Sequence, residues 1–310
     1  MADISFMIPI DDEKAQASLA DVNTIYTDLD GTLLAPGGKL VTNFAGEPST
    51  EIVEALVAVK RADIRLVVVT GRSRIQGNEF IRMLDADAFI GEMGTTLQLR
   101  DAGPLSVEYD TGTFEYDSER FATPHEAIEA TGAVEALIAR YPGRIERNFP
   151  RGLYRDVTHA MRGYLDVDEV NAFFAESGYD LAFEDNGMFF TTRGLELDPD
   201  LCPEIHGYHI VPANTSKALA VKRDMERNGL RREQTVSIGD GYGDVEMGRY
   251  TGAFVMMRNG LRNERNIAGA STLPCPVLLT NGICCDGWVE FARTLLAKMG
   301  QRSPGALSHF

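Results

Sequence analysis

Short, continuously apolar runs punctuate the first and last thirds of the chain: Thr24 to Thr27, Leu66 to Val69, Ala88 to Ile90, Thr235 to Ile238, Ala253 to Met257 and Val277 to Leu279. Each stops abruptly at small or polar residues. A strand that is apolar on both faces is covered on both, so these runs predict buried parallel strands with helices above and below the sheet. Apolar residues between them recur at helical spacing. Ser49 to Arg61 carries Ile52, Val53, Leu56, Val57 and Val59 behind a Ser/Thr cap signal, and Ser73 to Leu84, Ser216 to Asn228 and Asp286 to Met299 follow the same rhythm. Strand and helix alternating in this way predict a doubly wound α/β domain, whose ligands bind at the carboxyl ends of the strands.

The middle third has another texture. Strand-like runs at Thr96 to Leu99, Arg162 to Val167 and Met188 to Thr192 mix with helix-like stretches at Pro124 to Tyr141 and Val167 to Ser177, and the α/β rhythm resumes near Ile210. An α+β domain inserted into the parallel-sheet core accounts for this. The expected division is a first core part over 1–94, an insert over 95–208 and a second core part over 209–310. There is no internal repeat or low-complexity tract, and the tail from Gln301 to Phe310 is expected to fray.

Composition narrows the function. The chain has 310 residues, 30 Lys and Arg against 46 Asp and Glu, and a formal charge of −16. So acidic a protein lacks the electrostatic footprint for clamping a nucleic acid, although a small basic pocket inside an acidic shell stays open. At 44% apolar and 25% charged the composition is that of a globular protein. The cysteines, Cys202, Cys275, Cys284 and Cys285, lack the paired spacing of a zinc site and read as reduced thiols of a cytoplasmic protein. The N-terminus has no basic segment followed by an apolar core, and no long uncharged apolar stretch occurs, so secretion and membrane spanning are disfavoured.

The chemistry gathers where the apolar runs end. The first run leads into Asp28-Leu29-Asp30-Gly31-Thr32-Leu33-Leu34. Two carboxylates two residues apart point the same way in an extended chain, and Gly31 lets the backbone turn away. Such a pair repels unless a proton or a hard cation such as Mg²⁺ lies between them. The second run leads into Thr70-Gly71-Arg72, where a hydroxyl and a backbone N–H at a strand-to-helix junction suit a phosphate oxygen. An ordinary helix cap would read the same. Thr215-Ser216-Lys217 places a lysine in the first turn of a helix, against the macrodipole, unless an anion is held there. Gly239-Asp240-Gly241-Tyr242-Gly243-Asp244 follows another run; its spacing does not fit a calcium-binding helical hand, and its aspartates read as further ligands of the cation begun by Asp28 and Asp30.

In this order the four motifs resemble the haloacid dehalogenase (HAD) superfamily of phosphatases over about Asn23 to Met257. The insert between the second and third motifs resembles the subfamily with an α/β cap there, which includes Cof-type hydrolases, sucrose-phosphate phosphatases and mannosyl-3-phosphoglycerate phosphatases. Gly91-Glu92-Met93-Gly94 is similar to the Glu-Asn-Gly turn of those proteins. The resemblance implies a doubly wound parallel-sheet HAD core, α/β in class, carrying an inserted α+β cap.

Carried over, it implies that Asp28 attacks phosphorus to form an aspartyl-phosphate and that Asp30 serves as acid and then base. Thr70, Gly71 and Lys217 would bind the phosphoryl group. Mg²⁺ would be held by Asp28, the backbone carbonyl of Asp30, Asp240 and Asp244. Two positions depart from the family pattern: Gly243 stands where Asn is usual, and Ala218 follows Lys217 where Gly is usual. The cations Arg151, Arg155 and Arg162 are the insert's candidates for gripping substrate, with a salt-bridged surface as the alternative. His125 and His209 read as structural.

The expected function is Mg²⁺-dependent hydrolysis of a small phosphorylated carbohydrate, either a sugar phosphate or a glycosyl-phosphoglycerate, by a monomer or homodimer. The alternatives are a phosphosugar mutase using the same aspartyl-phosphate and a catalytically weak phosphosugar-binding protein.

Overall fold

The computed structural model describes residues 2–100, 106–150, 152–188 and 194–302, with side chains through residue 297. In chain order the elements begin with β1 (Ile8–Pro9), α1 (Glu13–Ser18), β2 (Thr24–Thr27), α2 (Glu51–Arg61), β3 (Arg65–Val69), α3 (Arg74–Leu84) and β4 (Ala88–Gly91). There follow β5 (Thr96–Leu99), β6 (Glu108–Tyr109), α4 (Pro124–Ala130), α5 (Ala133–Arg140), β7 (Ile145–Arg147), β8 (His159–Gly163), α6 (Val167–Glu176), β9 (Leu181–Met188) and β10 (His206–Pro212). The last are α7 (Lys217–Arg227), β11 (Thr235–Gly239), α8 (Tyr242–Met247), β12 (Ala253–Met256), α9 (Glu264–Ala270), β13 (Val277–Leu279) and α10 (Cys285–Arg302). They form two compact units: one takes the described residues of 1–70, 80–88 and 221–310, the other those of 71–79 and 89–220.

The first unit is built on parallel strands in the order β1-β13-β12-β11-β2-β3. The apolar runs form these strands because both faces are covered: every residue of β2, β11 and β12 is buried. Register sets the ends of β2 and β11 side by side, with Thr27 opposite Ile238 and the Asp28 N–H donating to the Ile238 carbonyl at 3.0 Å. A buried polar group ties the sheet to α7. Asp224 accepts from Tyr26 Oη at 2.7 Å and from two nitrogens of Arg65 at 2.6 and 2.8 Å. That fork satisfies both carboxylate oxygens, which a buried charge requires. Burial, with the Asp224 carboxylate beside it, raises the Tyr26 phenol well above its ordinary range.

The second unit holds an antiparallel sheet ordered β7-β8-β10-β9. Its core gathers Ile128, Val134 and Leu137 from α4 and α5, Val170 and Phe174 from α6, and Met161, Phe183, Tyr208 and Ile210 from the sheet. Phe183 and Tyr208 stack with centroids 4.6 Å apart.

The pattern of the chain misplaces some elements in this unit. The helical stretch expected over Pro124 to Tyr141 is two helices, α4 and α5, because Gly132 turns left-handed between them at φ +75. The strand expected over Arg162 to Val167 lies earlier, as β8. Asp166 instead caps α6, its side chain accepting from the Glu169 N–H. The strand expected from Met188 ends there as β9, and 189–192 lie outside the described residues. Ile210, where the parallel rhythm was expected to resume, lies in β10 and pairs antiparallel with β8 and β9.

Candidate active site

The carboxyl ends of β2 and β11 carry the acidic residues. Asp28, the first residue past β2, is buried, whereas Asp30 is exposed. The backbone carbonyl of Asp28 accepts from Thr27 Oγ1 at 2.8 Å, and that hydroxyl accepts from Trp288 Nε1 at 3.1 Å. The end of β2 is thereby fixed by a side chain from α10. Gly31 follows at φ +85, and a Cβ there would lie 2.4 Å from Asp240 Oδ2, so backbone conformation and space both demand glycine.

Asp240 is held from several directions. Its Oδ1 accepts from Thr32 Oγ1 at 3.1 Å, its Oδ2 from Asn259 Nδ2 at 2.8 Å, and its backbone carbonyl from Asn266 Nδ2 at 2.7 Å. Asp244 lies in the first turn of α8, where its Oδ2 accepts from the N–H groups of Gly241 at 2.9 Å and Asp240 at 3.3 Å. A carboxylate is favoured at that helix end.

Asp28, Asp240 and Asp244 each offer a carboxylate oxygen, and the three oxygens lie within 4.8 Å of one another. Three negative charges this close and largely removed from water repel strongly. An all-oxygen set of this kind fits a hard divalent cation, and the missing Cβ of Gly31 is what lets the Asp240 carboxylate lie against the turn after β2. The cluster can therefore hold a metal ion. The Asp30 carboxylate is not one of the three.

Thr70, also buried, follows β3. The next residue, Gly71, belongs to the second unit, where its carbonyl accepts from Arg155 Nη1 and Nη2, both at 3.0 Å. Arg155 Nη1 also donates to Thr158 Oγ1 at 2.9 Å, and the guanidinium lies 3.9 Å from Glu92. Glu92 is buried at a left-handed φ of 48, held there by the N–H groups of Asp156, Val157 and Thr158 and by Thr158 Oγ1, at 2.9 to 3.2 Å. Arg74, at the start of α3, pairs with Asp156 through two nitrogens. Burial weakens the hold of Arg155 on its proton, and the Glu92 carboxylate opposes that. Burial, then the cations Arg155 and Lys217, push His209 far below the ordinary histidine range, so it is neutral. Lys217 is buried where α7 begins. The turn at Gly94, φ +99, packs against that point so tightly that a Cβ would lie 2.3 Å from the Ser216 carbonyl and 2.8 Å from Lys217 N.

The sequence profile of the haloacid dehalogenase-like hydrolases matches residues 25–103 and 205–273, which contain all four motifs. The chain belongs to the haloacid dehalogenase-like hydrolases. No curated protein sequence matches it. Among solved structures, this hydrolase is similar to a Thermoplasma acidophilum protein, with TM-score 0.60, 15% identity and coverage of 88% of this chain and 98% of that one. It is also similar to the sucrose-phosphatase of Synechocystis sp. PCC6803 in complex with sucrose and phosphate, with TM-score 0.58, 13% identity and coverage of 89% and 98%. A third, a haloacid dehalogenase-like hydrolase from Bacteroides thetaiotaomicron, gives TM-score 0.53, 19% identity and coverage of 88% and 98%. At these identities the likeness is one of fold: a parallel core sheet with a separate antiparallel sheet in the insert.

The two described arginines of the insert that were candidates for gripping substrate or for a salt-bridged surface, Arg155 and Arg162, make their hydrogen bonds within the protein. Arg155 is buried and turned onto Gly71 and Thr158. Arg162 is also buried, bonded to Glu146 Oε1 at 2.5 Å and to the Gly194 carbonyl at 2.6 Å. A guanidinium desolvated to this extent needs such partners, and it finds them inside the protein. Arg151 lies outside the described residues. Asn259, Asn266 and Trp288 were missed. Each is a neutral side chain brought to the hydrolase's acidic cluster from a distant part of the sequence, with no local pattern to mark it. Asn259 brings an amide to Asp240, in the same loop in which Gly243, next to Asp244, lacks the usual one.

Proposed function

We propose that this hydrolase is a Mg²⁺-dependent phosphatase that cleaves small phosphorylated carbohydrates through an aspartyl-phosphate. The observation that carries the reading is the cluster of Asp28, Asp240 and Asp244 past the ends of β2 and β11, three carboxylates converging where Gly31 admits the Asp240 side chain.

In the first half-reaction an Asp28 carboxylate oxygen bonds to phosphorus while the bond from phosphorus to the ester oxygen breaks, and Asp30 gives its proton to the departing alkoxide. Asp30 then removes a proton from water, whose oxygen bonds to phosphorus and displaces the Asp28 carboxylate, releasing phosphate. Splitting the displacement in this way divides one high barrier into two lower ones. The exposure of Asp30 suits a group that exchanges protons with alcohol and water, and the burial of Asp28 suits a nucleophile shielded from solvent. Thr70, the Gly71 N–H and Lys217 are the donors for the phosphoryl oxygens. A Mg²⁺ held by Asp28, Asp240, Asp244 and the Asp30 carbonyl supplies charge that offsets repulsion between carboxylate and phosphate.

The carbohydrate part of the reading draws on similarity to the sucrose-phosphatase fold, with residues 95–208 as the specificity domain. A phosphate-release screen over sugar phosphates, with and without EDTA, tests it. Mg²⁺-restored release from at least one carbohydrate ester is expected, and release confined to nucleotide or protein phosphates would overturn the substrate class.

A further inference from the structure

Gly71 has an ordinary backbone conformation, so its missing side chain answers to space alone. A Cβ there would lie 2.8 Å from Asn186 Nδ2 and 3.1 Å from Asn186 Oδ1. The carboxamide of Asn186, on β9, thus lies against the turn that follows Thr70. It reaches that position through a break in the sheet. Met188 pairs with His206 and Asp185 with Tyr208, so two residues of β9, Asn186 and Gly187, oppose the single Gly207. Gly187 takes φ +95 and donates its N–H to Asp185 Oδ1 at 2.7 Å, as a bulge requires. A bulge re-aims the side chain it carries, and here that side chain is an exposed amide. The two bonds from Arg155 to the Gly71 carbonyl fix the turn against the same unit. Arg155 and Arg162 are occupied internally, so Asn186 is a polar side chain of the insert that touches this turn and stays open to solvent.

We propose that Asn186 is a specificity-determining residue of this hydrolase: its carboxamide, aimed by the β9 bulge at the Gly71 turn, hydrogen-bonds a hydroxyl on the alcohol side of the phosphate ester. The proposal rests on the phosphatase reading above. A carboxamide offers two donors and an acceptor, and a polyol hydroxyl can use either. A phenyl group can use neither.

The test compares kcat/KM of the full chain with Mg²⁺ for glycerol 3-phosphate and glucose 6-phosphate against phenyl phosphate. Asn186→Ala is expected to lower the ratio of polyol ester to phenyl ester by about three- to tenfold, the worth of one hydrogen bond. Because Asn186 is exposed, the variant keeps its fold, which a thermal melt verifies. Gly71→Ala, whose methyl group would push the same carboxamide aside, should lower the ester ratio in the same direction. An unchanged ester ratio in Asn186→Ala overturns the assignment while the phosphatase reading stands. Wild-type protein that releases phosphate from none of the three esters overturns both.

Discussion

Asn259 Nδ2 stands 2.8 Å from Asp240 Oδ2 and 2.9 Å from the Gly31 carbonyl oxygen, so one amide joins the acidic loop after β11 to the turn after β2. Its own Oδ1 accepts from the Cys284 N–H at 3.1 Å, which fixes which way the amide faces. The Asp240 carboxylate therefore cannot rotate without breaking its bonds to Thr32 and Asn259.

Replacing Asn259 by Ala should weaken the cation site without touching a carboxylate. Groups that orient a metal ligand are typically worth ten- to hundredfold in metal affinity. The Mg²⁺ concentration that half-saturates phosphate release should rise by about that factor in Asn259→Ala. An unchanged half-saturation would show that Thr32 alone holds the Asp240 carboxylate.

Arg155 supports a stability prediction. Arg155→Met removes three hydrogen bonds and the cation facing a buried Glu92, a change of the kind that costs about 3 to 5 kcal/mol. Arg155→Lys keeps the charge but not the two-nitrogen grip on the Gly71 carbonyl, so it should recover only part of the loss. Urea unfolding measures both, and a loss below about 1 kcal/mol in Arg155→Met would mean that water replaces the guanidinium.

How much of this was legible depended on whether the cause was local. β2 and β11 could be read because strands covered on both faces are apolar throughout, and Asp28 and Asp240 could be read because they stand where those runs stop. The break at Gly132 hid inside a continuous helical rhythm, since periodicity records which face is apolar and not whether φ turns positive. Arg155 announced its charge, but its direction is set by the Gly71 carbonyl, 84 residues away in the chain. Trp288 and Asn259 carry no charge and no spacing signal; only the folded sheet brings them to Thr27 and Asp240. The bulge that aims Asn186 is likewise a property of strand pairing, invisible until β10 lies beside β9.

The nucleophile assignment makes paired predictions for activity and stability. Asp28→Asn keeps the shape of the side chain but removes its nucleophilic charge, so phosphate release should fall to background for every ester. Removing one of three mutually repelling carboxylates should also raise the melting temperature in EDTA and shrink the increase that Mg²⁺ produces. Wild-type turnover in Asp28→Asn would sink the assignment. A lowered melting temperature in EDTA would show that the Asp28 carboxylate is stabilised by hydrogen bonds that outweigh the repulsion.

Buried histidines in the second unit set the acid limit of stability. Burial, and next to it the stacked ring of His125 at 3.8 Å, push His159 down to about 3. The hydrogen bond to the His125 carbonyl and the Glu135 carboxylate pull the other way without prevailing, and the Glu129 carboxylate lies 3.3 Å from His159 Nδ1. An unfolded histidine titrates near 6.5, so between about pH 6.5 and 3 the unfolded chain takes up a proton that folded His159 refuses. Stability is therefore close to full by about pH 7.5 and falls as the pH drops, by about 1.4 kcal/mol per such histidine between pH 7.5 and 5.5. His209 acts with the same sign. His206, raised chiefly by its bond to Asp185, acts with the opposite sign, contributing stability at low pH that is lost as the pH rises through its folded pKa. Urea unfolding of His159→Asn at pH 7.5 and 5.5 should show a smaller difference between the two pH values than wild type by about 1.4 kcal/mol. An unaltered difference would mean that His159 accepts its proton in place, through a rearrangement toward Glu129 that turns the stacked pair into an ion pair.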